Sequence, residues 1–167
     1  MTPTVPITID QAWEALRGVP DPEVPALSVV DLGIIRTIEA TAGGIRVDVT
    51  PTYSGCPALD VIEREIGRAL QTAGAEQVEV RRVFTPAWST DMMTDTGRRR
   101  LKAYGIAPPG PVVAEPLVSL GPTVRNVACP FCDSPDTELR SEFGATACKS
   151  LYSCHSCHQP FEHFKAF

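Results

Sequence analysis

From Pro57 to Ala73 the apolar residues Leu59, Ile62, Ile66, Ala69, Leu70 and Ala73 recur at three- and four-residue steps. That period predicts a helix with one buried face, stopped by Gly74. Just upstream, Ile45-Arg46-Val47-Asp48-Val49 alternates as a half-buried strand does, and Gly43-Gly44 reads as a hairpin turn joining it to a strand over Ile34 to Glu39. Gln77 to Phe84 alternates again and predicts a third strand. Near the start, Thr8-Ile9-Asp10-Gln11 has the spacing of a capping box, so a short helix through Trp13, Leu16 and Arg17 should follow, ending near Gly18 and Pro20. A last helix, with Leu101 and Tyr104 on one side, closes at Gly105. Between these elements, Val29 to Ile35 is an apolar run broken by one acid, Asp31. The order α–β–β–α–β–α predicts an α+β fold, a small α/β sandwich in which helices pack on one sheet.

From Ile106 to Arg125 the pattern is lost. Pro108, Pro109, Pro111, Pro116 and Pro122, with Gly110 and Gly121, favour an extended, semi-rigid connection. The expected organisation is a first domain over 1–105, a proline-rich linker over 106–125 and a second domain over 126–167. That last stretch is too short to hold a core unaided. It carries Cys129-Pro130-Phe131-Cys132 and Cys154-His155-Ser156-Cys157, two C-x-x-C pairs separated by 21 residues. Two such pairs each present two sulfurs, and together they complete a tetrahedral four-thiolate site. The expectation is a zinc ribbon, its structural zinc held by Cys129, Cys132, Cys154 and Cys157. A rubredoxin-like iron would use the same four ligands. Cys148 reads as a small buried hydrophobe, and His155, His158 and His163 as surface residues.

Composition changes this picture little. Of the 167 residues 43% are hydrophobic and 21% charged, an ordinary globular balance. The net charge of -5 and pI near 5.2 argue against nucleic acid as the main partner, since phosphate binding needs a basic surface. No basic stretch followed by an apolar run marks a secretory signal, and no apolar stretch is long enough to span a membrane, so a cytoplasmic location is expected. There the six cysteines read as thiols and metal ligands rather than disulfides.

The remaining chemistry centres on Thr50-Pro51-Thr52-Tyr53-Ser54-Gly55-Cys56-Pro57. Proline suits the first helical position, so Pro57 should begin the helix. The Cys56 thiol would then sit beside unpaired backbone N–H groups and the positive end of the helix dipole, which favours thiolate. From the residues alone Cys56 is either a buried structural thiol or a metal or cluster ligand. Asp21 and Glu23 flank a proline in Asp21-Pro22-Glu23-Val24-Pro25; they read either as ligands and acid–base groups or as a solvated turn with Asp21 as its cap. No histidine lies in the first domain to serve a cysteine nucleophile. Trp88, Met92 and Met93 read as core packing, and Arg98, Arg99, Arg100 and Lys102 as a solvated helix face.

Two stretches of the first domain resemble the SufT-like iron–sulfur assembly family: Asp21-Pro22-Glu23-Val24-Pro25-Ala26-Leu27-Ser28-Val29-Val30-Asp31-Leu32-Gly33, and the Cys56 loop. Pro86 to Met93 and Gly97 to Pro109, taken with the four-cysteine ribbon, are similar to the PaaD family, the D subunits of phenylacetyl-CoA epoxidases. Met92 departs from that pattern, standing where a tryptophan is expected. The resemblance implies an accessory or maturation factor for the multicomponent epoxidase of aerobic phenylacetate catabolism, one that is not itself an enzyme. It would assist assembly of an iron–sulfur cluster or metal centre, its partners being the epoxidase components and above all the iron–sulfur reductase subunit. Cys56 would handle iron or a transient cluster, with Asp21 and Glu23 as the acidic motif beside it. Two alternatives stay open: a structural or electron-transfer subunit with iron in the ribbon, and a thiol enzyme using Cys56. A homodimer through the sheet edge is compatible with all three.

Overall fold

The computed structural model describes residues 7–53, 55–112 and 127–166. The chain divides into two compact units, Met1–Gly97 and Arg98–Phe167. Of the linker expected over 106–125, residues 113–125 lie outside the described ones.

The first unit opens with α1 (Ile9–Arg17). Its capping box is complete: Gln11 N–H donates to the Thr8 hydroxyl at 3.2 Å, and Thr8 N–H donates to the Gln11 side chain at 2.9 Å. Strands β1 (Ile35–Thr41) and β2 (Gly44–Val49) are antiparallel, β2 pairs in parallel with β3 (Val78–Arg82), and the sheet order is β1-β2-β3. Parallel neighbours cannot be joined by a hairpin, and α2 (Leu59–Thr72) supplies the crossover. It buries Leu59, Ile62, Ile66 and Leu70 on one face, as the apolar period requires. The hairpin differs slightly from expectation. Thr41 pairs with Gly44, so the turn is Ala42-Gly43 and Gly44 already belongs to β2.

The apolar run from Val29 is a turn before it is a strand. Asp31 is the cause. Its carboxylate accepts from Ser28 N–H at 3.1 Å and from the Ser28 hydroxyl at 2.9 Å, folding the chain back where an extended run would otherwise continue. The segment after β3 clasps this turn. Trp88 donates its indole N–H to the Leu32 carbonyl at 2.9 Å, and Thr94 donates its backbone N–H to the Asp31 carbonyl at 2.9 Å. Trp88 and Met93 are buried, as packing residues should be, while Arg36 reaches the Met92 sulfur. Thr94 then caps α3 (Asp95–Ala103) by accepting from Gly97 N–H at 2.9 Å. Leu101 of α3 is fully buried, whereas Tyr104, expected on the same side, is exposed just beyond the end of the helix. Arg99, Arg100 and Lys102 are exposed, as a solvated helix face requires.

In the second unit β5 (Thr137–Ser141), β6 (Lys149–Cys154) and β7 (Pro160–Phe164) form an antiparallel ribbon. Ile106 and Ala107, read from the sequence as the start of the connection, form β4 and pair in parallel with β7. Ala107, Val127, Cys129, Tyr152, Cys154 and Phe161 make the core, with the Tyr152 and Phe161 rings stacked at 5.7 Å. Lys149 is almost fully buried and pairs with Glu162 at 2.8 Å; the other Glu162 oxygen accepts from Ala145 N–H at 2.8 Å. One carboxylate thus neutralises a buried ammonium and pins the loop before β6. Among the described residues no helix is long and apolar enough to cross a membrane.

Two outcomes test this description. Gly33 has φ +69, and a Cβ there would lie 2.0 Å from the Met92 carbonyl oxygen; Gly55 has φ +84 but nothing within 4 Å. Gly33→Ala should therefore cost roughly 3 kcal/mol or more by urea unfolding, combining backbone strain with a backbone clash, and Gly55→Ala only about 1 kcal/mol. In the second unit, Glu162→Ala would strand the Lys149 charge and cost roughly 3 kcal/mol. Partial burial would raise the Glu162 pKa, but the Lys149 ammonium and Ala145 N–H outweigh it and hold it below the ordinary carboxylate value. That stabilisation is complete above the unfolded glutamate pKa of about 4.3 and is lost as pH falls through the depressed folded value. Melting temperatures followed from about pH 6 down to about pH 3 should show this acid loss in wild type and a flatter profile in Glu162→Gln.

Candidate functional site

The carboxyl ends of β2 and β3 lie side by side, because the strands are parallel and Val83 N–H donates to the Val49 carbonyl at 2.9 Å. From that end β2 runs into the Cys56 loop. Thr50 N–H donates to the Ile34 carbonyl at 2.9 Å, Cys56 N–H to the Tyr53 carbonyl at 3.3 Å, and Leu59 N–H to the Cys56 carbonyl at 3.3 Å. The helix expected from Pro57 begins instead at Leu59, with Ala58 as its cap and no side-chain capping bond. Pro57 occupies the turn before the helix.

The expected state of the thiol is also corrected, for a different reason. Cys56 is half-buried, and its pKa is raised rather than lowered. Burial is the largest cause. The Ala58 N–H opposes it, the Glu23 carboxylate adds to it, the Thr52 hydroxyl opposes it and Asp21 adds to it. Two hydrogen-bond donors therefore face the sulfur, but desolvation and two carboxylates outweigh them and push the thiol pKa up. Thr52 and Ala58 had no signal in the sequence, because the loop has no period that would mark which residues turn towards Cys56.

The structure does bring Asp21 and Glu23 to Cys56, in unequal roles. Asp21 is only 7% exposed, and one of its oxygens accepts from Glu23 N–H at 2.9 Å and Val24 N–H at 2.7 Å. Asp21 N–H donates to the Leu27 carbonyl at 2.8 Å. Asp21 thus caps the proline turn and fixes where Glu23 sits. Among the described residues these acids and Cys56 do not converge tightly enough to form a group of three metal donors.

Such a group does exist in the ribbon. Cys129, Cys132, Cys154 and Cys157 place their sulfurs within 4.8 Å of one another, with Cys129–Cys157 and Cys132–Cys154 at 3.6 Å. Four sulfurs at about 2.3 Å from a tetrahedral metal would be about 3.8 Å apart, so the donor set fits a closed thiolate site. Each C-x-x-C turn is closed the same way: Cys129 N–H donates to Ser134 and Cys154 N–H to Gln159, both at 3.0 Å, and Asp133 and His158 each take φ 60. The N–H groups of Cys157 and then Ser156 help pull Cys154 down to about 6. Cys132 is lowered by the Ser134 N–H but pushed up further, to about 12, by desolvation and the other three sulfurs. Sulfurs crowded this closely resist shared ionisation, and a cation among them relieves the conflict.

The histidines stand outside this set. His155 faces Asp136 through Nδ1 at 3.1 Å and Glu138 through Nε2 at 3.5 Å. His163 is buried rather than on the surface, with Nδ1 3.3 Å from the Ser150 hydroxyl. Cys148 is buried, 3.0 Å from the Thr146 hydroxyl, which suits a packing role.

Residues 9–81 match the model of an iron–sulfur cluster assembly protein, and residues 114–165 that of the PaaD zinc beta ribbon domain. An Escherichia coli (strain K12) protein named for the D component of 1,2-phenylacetyl-CoA epoxidase is 44% identical over 160 residues, covering 96% of this chain and 94% of that protein. An Fe-S protein maturation auxiliary factor of Porphyromonas gingivalis is 37% identical over 82 residues, covering 48% of this chain and 77% of that one. Among solved structures, a DUF59 domain of unknown function from Bacillus anthracis superposes with TM-score 0.52 at 26% identity, over 55% of this chain and 89% of that one. A conserved hypothetical protein from Thermotoga maritima gives 0.50 at 28%, over 57% and 95%. An assembly-type α+β domain and a four-cysteine ribbon, in a chain matched along nearly its whole length by that Escherichia coli protein, place the chain in the PaaD family, the D subunits of phenylacetyl-CoA epoxidases.

Proposed function

We propose that this chain is a cytoplasmic accessory factor of the phenylacetyl-CoA ring epoxidase, serving aerobic phenylacetate catabolism by helping to assemble an iron–sulfur cluster or metal centre in its components. The client we favour is the iron–sulfur reductase subunit, and the chain itself catalyses no ring oxidation. The observation that carries this reading is the contrast between the two cysteine systems. The ribbon offers four converging sulfurs, while Cys56 offers one half-buried sulfur with Glu23 and the Asp21 turn beside it. A closed four-thiolate cage suits a permanent, structural ion, and zinc is the ion we assign to Cys129, Cys132, Cys154 and Cys157. An open thiol with carboxylate neighbours suits iron or a cluster as cargo, held loosely enough to be passed on. The name of the Porphyromonas gingivalis relative, whose match spans about the first half of this chain, supports the same assignment. A thiol enzyme fits less well: burial pushes the Cys56 pKa up, and all three histidines lie outside the first unit.

Elemental analysis of anaerobically purified wild type, Cys56→Ser and Cys129→Ser tests the metal assignment. The expected result is one zinc per chain, retained in Cys56→Ser and lost in Cys129→Ser, with the ribbon unfolding as the metal leaves. Stoichiometric iron lost with Cys129→Ser would instead make the ribbon an electron-transfer centre. In cells that depend on the epoxidase, Cys56→Ser should lower ring-epoxidation activity and the cluster content of the reductase. Unchanged activity and cluster content would overturn the assembly role of Cys56.

A further inference from the structure

Beside the Cys56 loop, at the same end of the sheet, the chain makes a short exposed arch. Phe84, Thr85, Pro86 and Ala87 are four consecutive exposed residues, and Phe84 is 63% exposed. Both feet of the arch are fixed. Val83 N–H is bonded to the Val49 carbonyl, and Trp88 is buried with its indole N–H on the Leu32 carbonyl. Arg82, two residues before Phe84, reaches the Asp60 and Glu63 carboxylates in the opening of α2, which begins three residues after Cys56. The arch and the Cys56 loop are thus tied to one another through β3 and α2.

Packing within the unit does not account for Phe84, since the side chain stands in solvent. An exposed aromatic on a backbone held at both ends loses little entropy when it is covered, which is the character of an interface anchor. Charge indicates what covers it. Residues 1–97 contain seven arginines and no lysine against fourteen carboxylates, a net charge of −7. The two arginines at this end of β3 are already paired, Arg81 with Asp48 and Arg82 with Asp60 and Glu63. A second copy docked first unit to first unit would bring another acid-rich unit against this one, and like charges at an interface are costly. A partner with a basic rim around an apolar pocket would not meet that cost.

We infer that Phe84 and its arch are the docking rim through which the Cys56 end of the first unit binds its client protein, a partner presenting a basic, apolar-centred face. This rests on the assembly reading above and adds the surface that would hold the client against Cys56. The test uses the full chain and the purified apo-reductase of the epoxidase as the probe, with affinity measured by titration calorimetry for wild type, Phe84→Ala, Phe84→Glu and Cys56→Ser. Because Phe84 is exposed, its variants should keep the wild-type melting curve and metal content. Phe84→Ala should weaken binding by about tenfold or more, Phe84→Glu further, and added salt should weaken wild-type binding.

Wild-type affinity in Phe84→Ala, or no binding of the apo-reductase by wild type, would overturn the inference. So would sedimentation showing a wild-type dimer that Phe84→Glu dissolves, because a second copy would then be the occupant. The docking role and the assembly role fail separately. Delivery that survives Cys56→Ser would refute the role of the thiol and leave the docking rim standing, whereas wild-type affinity in Phe84→Ala would refute the rim and leave the role of the thiol standing.

Discussion

The parallel pairing of β2 with β3 is the constraint on which the first unit depends. Five residue pairs, from Ile45–Val78 to Val49–Arg82, run in the same direction, so the chain must return across the sheet before the second strand can begin. That return is α2, and its apolar face supplies much of the core. The same pairing sets the carboxyl ends of two strands side by side, and the connections leaving those ends are irregular. Open α/β sheets bind ligands at this edge because irregular backbone there presents unpaired donors and acceptors to one crevice. Cys56, its Ala58 N–H and the Phe84 arch occupy that edge as a consequence of strand direction. A hairpin in place of the crossover would have sent the two connections to opposite ends.

Elements with a strong period could be read directly from the sequence. The buried stripe of α2, the capping box of α1 and the alternation of β2 rest on local rules, and tertiary contacts did not override them. The ribbon was legible for a different reason, because four sulfurs at metal-ligand spacing leave few folds that bring them together. Elements decided by long-range contacts were not legible. Ile106 and Ala107 form a strand only because β7 pairs with them from more than fifty residues away. The turn at Asp31 depends on one carboxylate folding back on Ser28 and on the later segment that clasps it.

The candidate site was half legible for the same physical reason. A cysteine following Gly55 and preceding Pro57 marks a special loop, and the acidic motif marks a second one. Whether the thiol ionises depends on what surrounds it in space. The N–H of Ala58, at the start of α2, does favour the thiolate, as a nearby helix start should. Burial and the Glu23 and Asp21 carboxylates then reverse the sign of the shift. Likewise Asp21 carried two readings in the sequence, and its bonds to Glu23 and Val24 N–H give it the structural one. Those bonds hold the backbone at Glu23 and Val24 in the turn.

The upward shift of the Cys56 pKa is consistent with the proposed role. A metal competes with protons for a thiolate ligand, so a raised pKa lowers apparent affinity at neutral pH. Carboxylate neighbours act in two opposed ways: they disfavour the bare thiolate, yet they attract a cation that arrives. On the assembly reading, a site so balanced would capture iron or a cluster weakly and give it up readily. The ribbon is balanced the other way, since backbone N–H groups favour the Cys154 thiolate and four sulfurs close around one point. On the assembly reading, one chain therefore carries a cage whose ion stabilises the fold and a corner whose cargo must leave. The physical difference between them is how many donors converge.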